Sequence, residues 1–133
     1  MNRSRSREIA MEVMYQMAIQ NDFSKEFSRK MVAQYEEESD EAYIFEVMDA
    51  FIENRETVDS QISPLLKNWT IERVGKVDLS ILRLAVTEMN FMSSIPGKVS
   101  VNEAINMSKK YVDEKSGKFI NGVLKHFIQA EEK

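Results

Sequence analysis

Apolar residues recur along this 133-residue chain at steps of three and four positions, the spacing of one face of an α-helix. No run alternates apolar and polar residues as a half-buried strand does. Four glycines and two prolines are too few to interrupt the pattern often. The sequence therefore predicts an all-α protein, either one domain or two small sub-bundles that share a core.

The first two helices are separated by a short break. The first is expected to start near Ser4 or Ser6, either of which is a suitable N-cap, and to continue with one apolar face to about Gln20. Residues 21–24 interrupt the periodicity, and Ser24 is the predicted cap of a second, weaker amphipathic helix.

The most regular apolar pattern follows an acidic stretch, residues 36–41, which we interpret as a solvated loop and helix cap. The positions of this apolar pattern are separated by alternating steps of four and three residues, at Ile44, Met48, Phe51, Arg55, Val58, Ile62 and Leu65. This spacing predicts a central helix with a coiled-coil-like seam, bent or stopped near Pro64, that carries the core of both halves.

A second densely apolar helix is predicted over residues 76–89. It is apolar on more than one side and is therefore central to the domain. We expect Arg83 and Glu88 in it to form a buried or half-buried ion pair that fixes the helix register. Trp69, just before it, is expected to be a core anchor or lid rather than a stacking platform.

The stretch from Ile95 to Leu124 predicts the last two helices. Ser100 or Asn102 is a suitable cap for the first of them. In the second, Ile120 keeps the core register, so Phe119, about 100° away around the helix, is expected at the edge. Gly117 would allow a ligand to come close to the backbone there.

The composition limits the chemistry that the chain can carry. It contains no cysteine and one histidine, His126, which excludes disulfides, thiolate catalysis, sulfur-based zinc sites and multi-histidine metal sites. No glycine-rich phosphate loop or histidine-paired nucleophile is present, so we expect no enzyme activity, cofactor or metal. No apolar run is long enough to span a bilayer and the N-terminus lacks a secretory signal, which predicts a cytoplasmic protein without a membrane partner.

Charge is distributed unevenly over this acidic protein. Residues 8–59 hold 14 acidic and 4 basic side chains, whereas residues 98–125 hold 6 lysines and 3 acidic side chains. If the arginine-rich N-terminus folds back beside the last two helices, one face becomes basic. The cations have aromatic neighbours: Arg3, Arg5, Arg7 and Tyr15 at one end, and Lys110, Tyr111, Lys115, Lys118 and Phe119 at the other. This combination is typical of single-stranded RNA binding.

Several segments resemble the NusB family of bacterial transcription antitermination factors. They are residues 3–16 (RSRSREIAMEVMYQ), 77–85 (VDLSILRLA) with Glu88, 95–99 (IPGKV), 102–104 (NEA) and 116–124 (SGKFINGVL). The resemblance covers essentially the whole chain in order, and the last segment is its most specific part. It implies about seven helices in two small bundles, about residues 1–60 and 61–133, joined by a central helix.

The resemblance also implies a function. A member of this family is expected to be a noncatalytic adaptor of the transcription elongation complex that binds boxA-type RNA together with NusE, a small-subunit ribosomal protein, and supports antitermination and rRNA transcription. The RNA-binding residues implied by position are Arg3, Arg5, Arg7, Tyr15, Lys110, Lys115, Ser116, Lys118, Phe119 and Asn121. Asp78 matches an acidic position implied at the NusE interface.

Two departures from the family pattern affect the expected RNA binding. Ser4 interrupts what is often a denser arginine run, which should weaken binding. Lys115 stands where family members frequently carry an acid, which should strengthen nonspecific binding.

Two alternatives remain open at the level of the sequence. The chain could be a NusB-like protein-interaction module that uses an apolar helix face or an acidic groove. It could also be an accessory domain of an RNA methyltransferase, which would require a separate catalytic partner. The sequence does not decide whether the protein is a monomer or a homodimer when its partners are absent.

Overall fold

Seven α-helices make up most of the computed structural model, which describes the backbone of residues 2–67 and 70–132 and the side chains in those ranges up to residue 128. They are α1 (Arg3–Gln20), α2 (Lys25–Val32), α3 (Glu41–Glu53), α4 (Arg55–Ile62), α5 (Lys76–Phe91), α6 (Gly97–Tyr111) and α7 (Glu114–Glu132). Two short 3-10 turns, Ser63–Leu66 and Ile71–Arg73, connect α4 to α5. The described ranges contain no strand. The predicted all-α class and the number of helices are therefore confirmed.

The residue that caps the start of α1 is not one of the two predicted serines. The side chain of Asn2, not that of Ser4 or Ser6, accepts a hydrogen bond from the backbone N–H of Arg5 at 3.2 Å. Ser6 is buried inside the first turn, where its hydroxyl accepts from the backbone N–H of Asp40 at 2.9 Å. Ser6 therefore joins α1 to the start of α3 instead of capping its own helix.

The break between α1 and α2 follows the prediction. α1 ends at Gln20 because Asn21 adopts a left-handed conformation with φ of 53°. The hydroxyl of Ser24 accepts a hydrogen bond from the backbone N–H of Phe27 at 3.1 Å, which confirms it as the cap of α2.

The predicted central helix over residues 44–65 is two helices in the structure, which corrects that expectation. α3 ends just before Asn54, whose backbone leaves the helical conformation with φ of −123° and whose side-chain amide donates to the carbonyl oxygen of Ala50 at 2.8 Å. α4 begins at the next residue and ends at Ile62, just before the 3-10 turn that contains Pro64. The apolar positions keep their spacing of three and four residues across the break, so the periodicity does not reveal it.

α5 is the helix around which the others pack, since it contacts α1, α3, α4, α6 and α7. Residues 79–88 are buried without exception. Arg83 and Glu88 are ion-paired, but not with each other: Arg83 donates to Asp59 of α4 twice at 2.9 Å, and Glu88 accepts from Arg7 of α1 at 2.8 Å. The two residues point about 140° apart around α5, so they face different neighbours.

α6 begins earlier than predicted. Its first residue is Gly97, so Ser100 and Asn102 lie inside the helix and do not cap it. Ser100 is buried, and its hydroxyl donates to the carboxylate of Glu88 at 2.8 Å. The serine therefore fixes α6 against α5.

α7 keeps the predicted core register. Ile120 is fully buried, and Phe119 is partly exposed at the edge of the core, as expected. A Cβ atom at Gly117 would lie 3.1 Å from Cγ of Lys109 in α6. Gly117 therefore permits close packing of two helices and does not leave room for a ligand, which corrects the expectation for this glycine.

Buried side chains from all seven helices form one apolar cluster. It spans both predicted sub-bundles, whose division near residue 60 stays a prediction. Trp69, the predicted core anchor or lid, lies outside the described residues.

Candidate nucleic-acid interface

The three N-terminal arginines lie in the first turns of α1, and each faces a carboxylate. Arg3 donates to Asp40 at 3.0 Å, and its side chain keeps 45% of its surface exposed. Asp40 also caps α3 by accepting from the backbone N–H of Tyr43 at 3.1 Å. This backbone hydrogen bond and the contact with Arg3 hold the pKa of Asp40 below its usual range. Arg3 is thus half of a surface ion pair.

Arg5 has the largest set of acidic partners. Its guanidinium donates to both carboxylate oxygens of Glu37, at 2.7 and 2.9 Å, and to Glu8 and Glu12 at 3.1 and 3.2 Å. The bonds to Glu37 are the main cause that raises the pKa of Arg5, and they lower the pKa of Glu37. The acidic stretch 36–41 was predicted to be a solvated loop and helix cap; Asp40 is such a cap, but Glu37 and Asp40 also pair with Arg5 and Arg3.

Arg7 is buried between α1 and α5, with 4% of its side chain exposed. It donates to Glu88 at 2.8 Å, and the same carboxylate accepts from the hydroxyls of Tyr43 and Ser100. Burial opposes the charge of Arg7, but the contacts with Glu88 outweigh it and raise the pKa of Arg7. Arg7 therefore anchors α1 to α5, and its implied contact with RNA stays a prediction.

Tyr15 lines a groove of about 450 Å³ whose other walls come from α2, α5 and α6. In this groove Glu12 accepts hydrogen bonds from the hydroxyls of Tyr35, at 2.6 Å, and Tyr111. Burial and the bond to Glu12 raise the pKa of both of these tyrosines. Tyr35 and Glu12 were not assigned to the site from the sequence, because Tyr35 simply continues the apolar face of α2 and Glu12 is one acid among many.

Ser116 is buried at the start of α7, with 5% of its surface exposed. Its hydroxyl donates to the carboxylate of Asp78 in the first turn of α5, and its backbone N–H donates to Asp113 at 2.8 Å. The hydroxyl is therefore engaged inside the protein, and the implied RNA contact of Ser116 stays a prediction. Its bond to Asp78 joins α7 to α5.

Phe119 lies between two grooves at the start of α7. The first groove, of about 340 Å³, is also lined by Asp78 and Lys115, and the second, of about 460 Å³, is also lined by Lys118. Lys115, Lys118 and Asn121 are exposed. Neither lysine forms an ion pair with a carboxylate in the described part of the chain. This region therefore combines an accessible aromatic ring with unpaired positive charge.

The two predicted basic clusters meet at the end of α6, where Glu8 and Glu12 accept hydrogen bonds both from Arg5 and from Lys110 and Tyr111. Two further measures describe this contact with α6: the hydroxyl of Ser4 donates to Glu103 at 3.1 Å, and Lys110 donates to Glu8 at 2.9 and 3.0 Å. Among the described side chains, no hydrogen bond or ion pair joins residues 3–7 to residues 115–121. The N-terminus thus lies beside α6, the first of the last two helices, and its link to the start of α7 is indirect, through the packing of α6 on α7.

The described residues contain no group of three or more histidine, aspartate or glutamate side chains placed to hold a metal ion. None of the helices in the same ranges is both long and apolar enough to cross a membrane.

Fold and surface together define an all-α bundle protein with a basic, aromatic region at the start of its last helix. A family model described as "NusB family" matches residues 4–129. The transcription antitermination protein NusB of Acetivibrio thermocellus is 42% identical over 132 residues, which cover 98% of this chain and 91% of that protein. The corresponding protein of Clostridium botulinum strain Hall is 43% identical over 143 residues, covering 96% of this chain and 100% of that protein.

Solved structures show the same similarity. T. maritima NusB matches with a TM-score of 0.86 at 30% identity, over 97% of this chain and 92% of that chain. A crystal structure of the antitermination factors NusB and NusE in complex with dsRNA matches with a TM-score of 0.82 at 31% identity, over 98% of this chain and 99% of that chain. The chain therefore belongs to the NusB family, and the resemblance found in the sequence is confirmed.

Proposed function

We propose that this protein is a noncatalytic transcription antitermination factor that binds boxA-type single-stranded RNA together with NusE. Its relatives named as transcription antitermination proteins support the antitermination role. The related structure that contains NusB, NusE and dsRNA supports RNA and NusE as the partners. In this role the protein is a cytoplasmic adaptor of the transcription elongation complex and supports rRNA transcription.

The observation that carries the proposal is the arrangement at the start of α7. The ring of Phe119 borders two open grooves, and Lys115 and Lys118 lie exposed beside it. An aromatic face of this kind accepts an unstacked base while neighbouring cations bind the flanking phosphates. Asn121 adds a side chain that can both donate to and accept from a base edge.

The paired cations at the start of α1 and at the end of α6 contribute to RNA binding by exchanging their carboxylate partners for phosphates. RNA phosphates replace Asp40 at Arg3, Glu37 at Arg5 and Glu8 at Lys110. Exposed ion pairs contribute about 1 kcal/mol or less, so the exchange costs least at Arg3, whereas Arg5 would have to give up three carboxylate partners. Tyr15 supplies aromatic surface in the neighbouring groove.

Asp78 is the proposed contact with NusE. The hydroxyl of Ser116 holds this carboxylate in one orientation, and Asp78 lines the same groove as Phe119. NusE bound at Asp78 would therefore lie next to the RNA, which explains why the two partners would bind more tightly together than separately.

The proposal is tested by fluorescence anisotropy with a boxA-like RNA and a scrambled RNA of equal length, with and without NusE, over a series of salt concentrations. We expect a preference for the boxA sequence that NusE increases, and an affinity that falls with salt by a slope of about 0.7 per phosphate contacted. Asp78→Ala should remove the effect of NusE and leave the weak binding of RNA alone, whereas Glu72→Ala, an exposed acid nearby, should change neither. Light scattering of the same samples measures whether the free protein is a homodimer.

A protein-interaction module would give a different result. It would bind NusE without any preference among RNA sequences, and its RNA affinity would show no boxA dependence at any salt concentration. That outcome would reject the proposed function.

A further inference from the structure

Apart from Phe119 and Lys118, the residues that line the larger groove beside Phe119 take no part in the contacts proposed above. This groove lies between α7 and the 3-10 turn Ser63–Leu66, and its volume is about 460 Å³. Its apolar floor is formed by Leu65, Leu66, Phe119 and Val123. A space of this size is ample for a nucleobase, whose flat apolar faces suit such a floor.

The helical repeat places the polar rim of this groove on one face of α7. Lys118, Gly122 and Lys125 follow at steps of four and three, so they lie in a row along the helix. A Cβ atom at Gly122 would meet nothing within 4 Å, so the middle of this row is open space. The glycine therefore makes the entrance of the groove wide between two lysines.

Positive charge surrounds the entrance. Lys67 contributes a third lysine from the opposite wall, and all three lysines are exposed. None of the three forms an ion pair with a carboxylate whose side chain the structure describes. An occupant with apolar flat faces and negative charge would be complementary to both the floor and the rim.

We propose that this groove binds an additional nucleotide of single-stranded RNA, next to the nucleotide that stacks on Phe119. The inference rests on the proposed RNA-binding function and extends it. The base of this nucleotide lies over the apolar floor, and the phosphates on either side of the nucleotide contact Lys67 and Lys125. Because Phe119 is a wall of both grooves, the RNA strand passes over one continuous track from the groove of Asp78 to this one.

The test compares RNAs of different length. A minimal boxA-like RNA is compared by anisotropy, in the presence of NusE, with RNAs extended by a short unstructured segment at the 5′ or the 3′ end. We expect one of the two extended RNAs to bind at least about fivefold more tightly than the minimal RNA, which is the lower range for stacking of one base. No gain from either extension would overturn the proposal.

Two variants locate the gain. Gly122→Leu fills the open entrance, and leucine is a better helix former than glycine, so the fold should be kept. It should abolish the gain from the extension and leave binding of the minimal RNA unchanged, while the matched Gly122→Ala, which is too small to fill the groove, keeps the gain. In Lys67→Ala/Lys125→Ala the salt slope for the extended RNA should fall by about 0.7 for each phosphate that the protein no longer binds. Lys30→Ala, an exposed lysine on α2, is the control.

The outcomes separate this inference from the function on which it rests. If the minimal RNA binds but Gly122→Leu keeps the gain from the extension, the groove proposal is wrong and the proposed function stands. If the minimal RNA fails to bind with NusE present, both are wrong. Retention of the fold is checked by circular dichroism and thermal unfolding of each variant.

Discussion

The arginines at the start of α1 and the lysines at the start of α7 are two cationic regions that differ in their partners. Arg3 and Arg5 are paired with Asp40 and Glu37 on the surface, and Arg7 is paired with Glu88 in the interior. The lysines at positions 115 and 118 lie exposed with no ion-pair partner among the described carboxylates. One region therefore has its charge neutralised within the protein, and the other does not.

This difference teaches that basic residues in a sequence are not equally available to a nucleic acid. A lysine surrounded by water exchanges only solvent and counterions for a phosphate. A surface arginine in an ion pair must also give up its carboxylate, and a buried arginine would have to leave the core. We therefore expect the start of α7 to provide the main RNA contacts, the surface arginines to provide weaker ones, and Arg7 to provide stability.

The largest expected effect is that of Arg7→Ala on stability. The change leaves the carboxylate of Glu88 buried without its cation, which costs about 3 to 5 kcal/mol of the free energy of unfolding. Urea unfolding measures the loss, and Arg3→Ala, which removes an exposed ion pair, should cost less than about 1 kcal/mol. If Arg7→Ala instead lowers RNA affinity and leaves the stability unchanged, Arg7 contacts RNA and is not the stabilising residue that its burial indicates.

Phe119→Ala should have the largest effect on RNA binding. Loss of one stacked base costs about 1 to 3 kcal/mol of binding free energy, measured by anisotropy with a boxA-like RNA. Phe91→Ala removes an exposed ring from the end of α5 and serves as the control. A lower melting temperature of the Phe119 variant with unchanged RNA affinity would show that this ring is part of the core only.

Lys118→Ala should have a smaller effect. Removal of one unpaired cation is expected to cost about 1 to 2 kcal/mol of binding free energy at low salt and to reduce the salt slope by about 0.7. Lys30→Ala gives the background effect of removing a surface lysine far from α7 in the sequence. Equal slopes for the two variants would mean that no phosphate lies at Lys118.

The smallest expected effect is a gain of affinity. Glu37→Gln weakens the contact that holds the guanidinium of Arg5, so more of this arginine is free for phosphate, and RNA should bind more tightly by no more than about fivefold. Glu36→Gln, a neighbouring exposed acid with no described ion pair, removes the same charge without freeing Arg5. An equal gain in both variants would indicate that net charge matters and that the pairing with Arg5 does not.

Much of the fold could be predicted from local patterns. The all-α class, the end of α1 at Gln20, the cap at Ser24 and the core position of Ile120 all follow from spacing and capping chemistry, which depend on near neighbours in the chain. The break at Asn54 was missed because one asparagine can end a helix without changing the apolar repeat.

The candidate site was predicted only in part, again because local patterns report on near neighbours in the chain. The residue types and the edge position of Phe119 follow from the helical repeat of α7. The burial of Ser116 and Arg7 could not be predicted, because their partners Asp78 and Glu88 lie 38 and 81 positions away in the chain. Contacts over such distances depend on how the helices pack.

The sequence by itself determined where most helices form, which of their faces are apolar, and to which family the chain belongs, because these properties are written in local spacing and in matching segments. Only the tertiary structure decided which cations are neutralised. It brings the acidic stretch 36–41 onto Arg3 and Arg5 and α5 onto Arg7, and it leaves the lysines around Phe119 exposed. Charge is a property of the residue, whereas its availability depends on the carboxylates that folding places beside it.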